Sequence, residues 1–373
     1  MSISPRDDVA DKRGGGAGGS DEPPAPRPSA SVTTEGLVAR TAHRRGDWLW
    51  QSTAFYWFVR RRELGPLAGL LVAVVGFNLA SPYFFSKQSL IAITSTAAPV
   101  SIVAVAVSFL LISGEFDLSV GTMYALTPIV WIILFQQQSW DPTYALFMAL
   151  GVAMVFGLAN GLVTVLFRVP SFIVTLGAFF VMEGLNNLLI GGGDFVISGD
   201  QPIFSILGAR LGNTPLYATI LWMIGVVVVG WFVLTRMTYG NWSIAAGSNP
   251  AVARAMGVPV GRVKIANFVA TALLAGFAGC LQSAYLRSVT QGQGQDLALL
   301  AITAIVVGGT SIYGGTGSII GAAIGAFLVS VIEVGLILVG APGTFYISFI
   351  GGVLVVAVIL NSRLTRLQRL SRG

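Results

Sequence analysis

Charge is scarce in this chain. Only 10% of its 373 residues are Asp, Glu, Lys or Arg, and 54% are hydrophobic, whereas an ordinary soluble domain is about 25% charged. That balance excludes a water-soluble globular protein and describes a chain that lives in a membrane. Cysteine occurs once, as Cys280, so an internal disulfide is excluded; set in an apolar run, it reads as a small packing residue. Histidine also occurs once, as His43 near the N-terminus. No His/Cys metal cluster and no histidine-based triad can be assembled, so neither a metal nor a catalytic residue is expected. Lysine is confined to Lys12, Lys87 and Lys264, and none follows the glycine-rich cradle that a phosphate-binding loop requires. The chain is therefore not its own ATPase, is not expected to be an enzyme, and needs no cofactor. Its net charge of +6 sits mostly near the ends, where basic residues fix orientation at a membrane; it is not a nucleic-acid signature.

What is present starts with two dissimilar leading segments. Residues 1–46 hold no apolar run, with Gly14 to Gly19 and Pro23 to Pro28 as punctuation; a disordered cytoplasmic tail without a secretory signal is expected. Residues 47–63 carry Trp48, Trp50, Tyr56 and Trp57 beside Arg60, Arg61 and Arg62, the mixture that suits an amphipathic helix lying among lipid headgroups. A transmembrane domain is expected over 64–362, and a basic cytoplasmic tail over 363–373.

Apolar runs long enough to span a bilayer fall near 65–83, 90–112, 118–136, 143–167, 171–190, 215–235, 265–286, 298–314, 317–339 and 343–361. The expected fold is all-α, a polytopic membrane protein of about ten transmembrane helices. Arginines precede the first span and follow the last, so both termini are placed in the cytoplasm, which requires an even number of spans. Lys87, Arg210 and Arg287 fall on the outer side and weaken that assignment. The outer loop 191–215 exposes Phe195, Ile203, Phe204 and Ile206 either to a periplasmic partner or to the ends of the helices.

Polar residues within these runs are costly, and each is a candidate for the solute path or for helix-to-helix bonding. Glu115 and Asp117 lie in Gly114–Gly121, where the glycines permit a break; Asp117 suits a helix start better than a substrate site. Asn160, Glu183, Asn186, Asn187 and Glu333 complete the set, Glu183 and Asn187 being four apart on one helical face. A second break is expected over 308–317, where Gly308, Gly309, Gly314 and Gly315 disfavour a helix. Gly317, Gly321 and Gly325 recur at every fourth position and predict close helix packing, within the chain or between copies.

The longest polar interruption of the second half is the loop 236–264. It contains a short helix with both ends specified: Asn249 as N-cap, Pro250 at the first helical position, and Gly257 just past the end. Ala251, Arg254, Ala255 and Met256 are its expected contact residues. Two turns are unstable alone in water, so this helix is expected either to dock or to serve as a connector.

Gly247, Asn249, Pro250, Ala253, Arg254, Gly257 and Val258 resemble the coupling loop of ribose-type ABC sugar permeases. Gly114-Glu115-Phe116-Asp117-Leu118-Ser119-Val120-Gly121 is similar to a second signature of that family, and Gly308-Gly309-Thr310-Ser311 with Gly314-Gly315-Thr316-Gly317 and Gly321 to a third. The resemblance extends over about residues 65–361. It implies a bacterial inner-membrane permease that moves a monosaccharide or similar polar solute by alternating access. It also implies three partners: an ABC ATPase, a periplasmic sugar-binding protein and a second copy of this chain. Ala298 and Leu300 stand where the family carries acidic residues, and Glu115 and Phe116 where it carries smaller or aliphatic ones, so the particular solute is not implied. A secondary transporter using Glu115, Asp117, Glu183 or Glu333 as ion or proton sites is the rival reading; a membrane enzyme lacks a nucleophile–base pair.

Overall fold

A computed structural model describes residues 63–370 apart from Asn213 and Pro215. The expected tail over 1–46, the expected interfacial helix over 47–63 except its last residue, and the last three residues of the chain lie outside the described residues. The described chain is helical almost throughout: α1 Leu64–Ala80, α2 Lys87–Ile112, α3 Val120–Ile132 with a π-turn over Ile133–Gln137, α4 Pro142–Leu166, α5 Ser171–Ile190, α6 Pro202–Gly208, α7 Ala218–Arg236, α8 Thr238–Ser248, α9 Pro250–Ala255, α10 Val260–Leu286, α11 Leu297–Val307, α12 Ile319–Leu338 and α13 Gly343–Leu370. Seven of these are long and apolar enough to cross a membrane, and α1, α11 and the Phe345–Ile359 part of α13 are shorter apolar helices. Together they occupy the ten positions read from the apolar runs. The chain is an all-α, multi-pass membrane protein.

Local chemistry sets many of the helix ends. The Ser86 hydroxyl accepts from the Ser89 amide at the start of α2. Asp141 Oδ1 accepts from Thr143 and Tyr144 ahead of α4, with Pro142 at the first position. Both are caps that satisfy otherwise orphaned amides.

Packing is organised around α2, whose apolar window is 89% buried. It is the central post, in contact with α7, α10, α11 and α12. By contrast only 22% of the corresponding window of α5 is buried, so most of that helix faces outward. Small residues allow the tightest approaches: a Cβ added at Gly157 of α4 would lie 2.8 Å from Phe268 O of α10, and one at Gly325 of α12 would lie 2.0 Å from Ala304 O of α11. The glycine repeat 317–325 therefore packs within the chain, α12 against α11.

Two of the ten segments stop short. The run expected as one span over 298–314 is helical only to Val307; from Gly308 to Ser318 the backbone is irregular, with left-handed glycines at 309, 314 and 315. Between α2 and α3, residues 113–119 are also non-helical. On the opposite face, α6 folds the outer loop back onto the helix ends. Phe204 is buried against Trp131, ring centroids 5.2 Å apart. Strand β1, Phe195–Val196, pairs with β2, Ser288–Val289. Arg287 beside this pair donates to Gly199 O and to Asp200 Oδ1 at 2.9 Å. One of the three outer cations thus has a carboxylate partner.

Candidate functional site

At the end of the molecule that carries Arg236, Arg254, Arg262 and Lys264, three glycine-bearing segments meet. Asn249 Oδ1 accepts from the Ala251 and Val252 amides, each at 3.1 Å, and starts α9. At its other end Gly257 takes φ +83°; its amide bonds Arg254 O and the Val258 amide bonds Ala253 O, each at 3.0 Å. This double bond pattern with a left-handed glycine is the helix terminus for which the sequence is written. Only Ala253 of α9 is buried, in a small cluster with Ala246, Val260 and Val263. Val252, Arg254, Ala255 and Met256 are exposed, Met256 by 79%. The apolar face of this two-turn helix, at a water-facing loop, has no partner among the described residues.

Helix α8 precedes α9. Tyr239 at its start donates to Asn267 Oδ1 of α10 at 2.6 Å, and Asn267 donates in turn to Phe109 O of α2. Burial pushes the Tyr239 phenol up to about 12, so it remains a donor at neutral pH. At the far end of α8, Gly247 lies directly against the end of α2: a Cβ there would fall 1.9 Å from Ile112 O and 2.7 Å from Gly315 N. The Gly315 amide donates to that same Ile112 carbonyl at 2.8 Å. Three motifs far apart in sequence thus share one backbone junction, formed by Ile112–Gly114, Gly247–Ser248 and Gly314–Gly315.

From this junction the chain runs as an unwound segment into the helix bundle. Glu115 forms an ion pair with Lys264 in the first turns of α10. The Phe116 amide donates to Ser171 Oγ at 3.1 Å and the Leu118 amide to Thr175 Oγ1, one turn further along α5, at 3.2 Å. Asp117 is buried; its Oδ1 accepts from the Ser119 amide and hydroxyl. Asn160, six residues and so about 9 Å from the end of α4, donates to Ser119 Oγ at 3.1 Å. Two hydroxyls of α5 therefore take backbone amides that this stretch leaves without helical partners, which is how irregular backbone is satisfied away from water.

A second polar region lies about 22 Å along α5 from Ser171. Glu183, Asn186 and Asn187 line a cleft with Thr290, Gln291 and Gln293 from the α10–α11 loop. Asn187 Oδ1 accepts from Gln291 Nε2 at 3.3 Å, and Gln293 Nε2 donates to Ser283 Oγ. Asn186 donates to Thr122 O of α3 at 3.1 Å, but its Oδ1 is buried with no hydrogen-bond partner. Close contact brings the loop to α3: a Cβ at Gly121 would lie 2.4 Å from Gly294 O. The cleft is narrow and gathers several amide donors and acceptors in one place. Glu333 does not line this cleft; it sits on α12 beside Tyr346, and its Oε2 is buried without a hydrogen-bond partner.

Of the residues singled out from sequence, the structure brings Glu183, Asn186 and Asn187 together, joins Asp117 to Asn160 through Ser119, and pairs Glu115 of the same stretch with Lys264. Thr290, Gln291 and Gln293 escaped sequence reasoning; the alternating T-Q-G-Q-G-Q run in an otherwise apolar region was the available signal.

Residues 89–358 match the model of the branched-chain amino acid transport system / permease component family. The chain belongs to this family. The permease is 35% identical over 303 residues to a probable ABC transporter permease protein of Sinorhizobium fredii, covering 81% of this chain and 89% of that protein. It is 32% identical to the xylose/arabinose import permease protein of Sulfolobus acidocaldarius, covering 81% and 85%, and 29% identical to the ribose import permease protein of Escherichia coli K12, covering 82% and 95%. No solved structure matches the permease. It is a multi-pass permease subunit of an ABC importer in the bacterial inner membrane, a transport component and not an enzyme, and that family membership implies a separate ATPase and a substrate-binding protein.

Proposed function

We propose that the permease carries a monosaccharide or a closely similar polyol inward, with ATP hydrolysed by a partner that grips α9. The observation that carries this reading is the junction itself. An exposed, doubly capped helix is joined by α8 to the same three-way contact that begins the unwound segment. Movement of α9 therefore reaches the interior of the bundle through a short path. The cleft of Glu183, Asn186, Asn187, Gln291 and Gln293 supplies hydroxyl partners at the opposite end, and relatives named for xylose/arabinose, fructose and ribose import support the solute class.

A second copy of the chain completes the pore in this reading. Helix α5 presents a stripe of Gly177, Val181, Gly184 and Leu188; Val181 and Leu188 are exposed, and both glycines have open space where a side chain would be. Small residues on an exposed stripe suit close approach of an equivalent helix.

The test is uptake by proteoliposomes holding the permease, its neighbouring ATPase and its binding protein, with xylose, arabinose, ribose and fructose offered in turn. ATP-dependent accumulation of at least one is expected. Accumulation by the permease alone under a proton gradient, or none of these sugars with ATP, would sink the proposal.

A further inference from the structure

Glu115 and Lys264 lie 149 positions apart in sequence and form one ion pair at the inner end of the bundle. Their side chains are only 12% and 16% exposed. Charges held this far from water are not separated without cost, because a partner left alone keeps its desolvation penalty. The pair is therefore a firm tie, unlike most surface ion pairs.

What it ties together gives it a role. Lys264 stands four residues into α10, whose start follows α9 after a short turn through Val258 and Pro259. Glu115 is the third residue beyond the end of α2, just after Gly114, which takes φ +84°. Ahead of that glycine, Ile112 is fixed by its carbonyl contact with Gly247 and Gly315. Beyond Glu115, the segment is held by single hydrogen bonds of 3.1–3.2 Å from Phe116 and Leu118 to hydroxyls of α5. One side of Gly114 is clamped, the other is attached to α10 by a salt bridge, and the next residues hold α5 by bonds that a hydroxyl rotor can remake.

We propose that Glu115 and Lys264 are positioning residues for transport: the pair carries displacement of the α9–α10 corner to the unwound segment 113–119, which swivels at Gly114. The proposal rests on the reading of the permease as ATP-driven. It removes Glu115 from the solute path. It also accounts for a carboxylate in a stretch where Asp117 is already used to hold Ser119.

The experiment uses the full complex of permease, ATPase and binding protein in proteoliposomes, and reads ATP hydrolysis with and without sugar-loaded binding protein. Glu115→Gln and Lys264→Met should each lower the stimulated-to-basal ratio by about fivefold or more, the lower end of ordinary allosteric coupling. The exchanged pair Glu115→Lys with Lys264→Glu should recover at least half of the wild-type ratio. A third arm replaces both residues with cysteine; the native Cys280 is fully buried and stays silent. The double variant without cross-link should lose stimulation, and joining its two cysteines with a short bifunctional reagent should restore at least half of the wild-type ratio, because a covalent tie carries the same displacement. A cross-linked complex no more responsive than the double variant without cross-link overturns the proposal. So do single variants with wild-type ratios, or an exchanged pair no better than the singles. Should the singles fail to assemble, Glu115→Asp and Lys264→Arg keep both charges, and the cysteine arm still decides. A wild-type complex indifferent to every loaded binding protein instead sinks the preceding functional reading before any variant is compared.

Discussion

Asn186 illustrates what one side chain contributes in this molecule. It is 6% exposed, and its two polar atoms are treated differently. The amide nitrogen holds α3 through Thr122 O, while the oxygen has no partner. A buried acceptor left unmade costs about 1–3 kcal/mol, a cost that a sugar hydroxyl donating to it would relieve. Asn186→Leu removes both roles. The expected outcome is a permease that still assembles but whose uptake KM rises about tenfold, equivalent to ~1.4 kcal/mol of binding. Asn160→Leu should behave differently, because Asn160 bonds only Ser119 of the unwound segment: maximal uptake should fall with little change in KM. Initial rates over a range of sugar concentrations separate the two. Equal effects on KM would mean that Asn160 also touches solute. Composition made these asparagines visible as polar residues in apolar runs. It did not reveal that one faces a cleft and the other a backbone turn, because that depends on which helices are neighbours.

Among the elements, α9 was the most legible, and α8 beside it the least. Everything that starts and ends α9 is local: the Asn249 cap, Pro250, and a glycine in the left-handed region. Helix α8 has no side-chain cap and a low apolar content. It forms because Gly240 can press against Leu234 O and because Ala246 is buried, both long-range or packing facts. The glycines at 247 and 257 accordingly predict different failures. At Gly247 the space is already filled, so Gly247→Ala must displace Ile112 or Gly315, at about 1–3 kcal/mol of overpacking. The permease should melt at lower temperature in detergent. At Gly257 there is open space, so Gly257→Val is a conformational fault only, costing about 1–2 kcal/mol or more for a β-branched left-handed residue. Its melting temperature should hardly move, since α9 contributes one buried side chain. Its affinity for the ATPase should fall, and Ala255→Asp should lower that affinity further by placing a charge on the exposed face. Co-purification of the ATPase with each variant checks this; full retention by both would make α9 a connector.

The whole molecule was legible as ten apolar segments because membrane thickness fixes the length of a span. The two irregular stretches were legible as glycine-marked breaks over 114–121 and 308–317, but not in what holds them. Residues 298–314 read as one run by hydropathy, yet the glycines from 308 end the helix early, and the unwound stretch 113–119 is stable only because Ser171, Thr175 and Asn160 supply bonds from other helices. Sidedness rests on a separate argument, the excess of arginine at one end. Arg168, Arg236, Arg254 and Arg262 share the end where α9 lies, and Lys87, Arg210 and Arg287 share the other, with Arg287 paired to Asp200. On the proposed function, with basic residues of short loops held in the cytoplasm, the α9 end faces the ATPase and the α6 end faces the binding protein. Two exposed positions test this in intact cells, in a Cys280→Ala background. Met256→Cys on the α9 end should resist a membrane-impermeant thiol reagent and react only after permeabilisation. Gly193→Cys, in the outer loop with open space around it, should react at once. Reaction of Met256→Cys from outside would invert the molecule, and would place the only doubly capped exposed helix among the described residues on the side where no ATP is available.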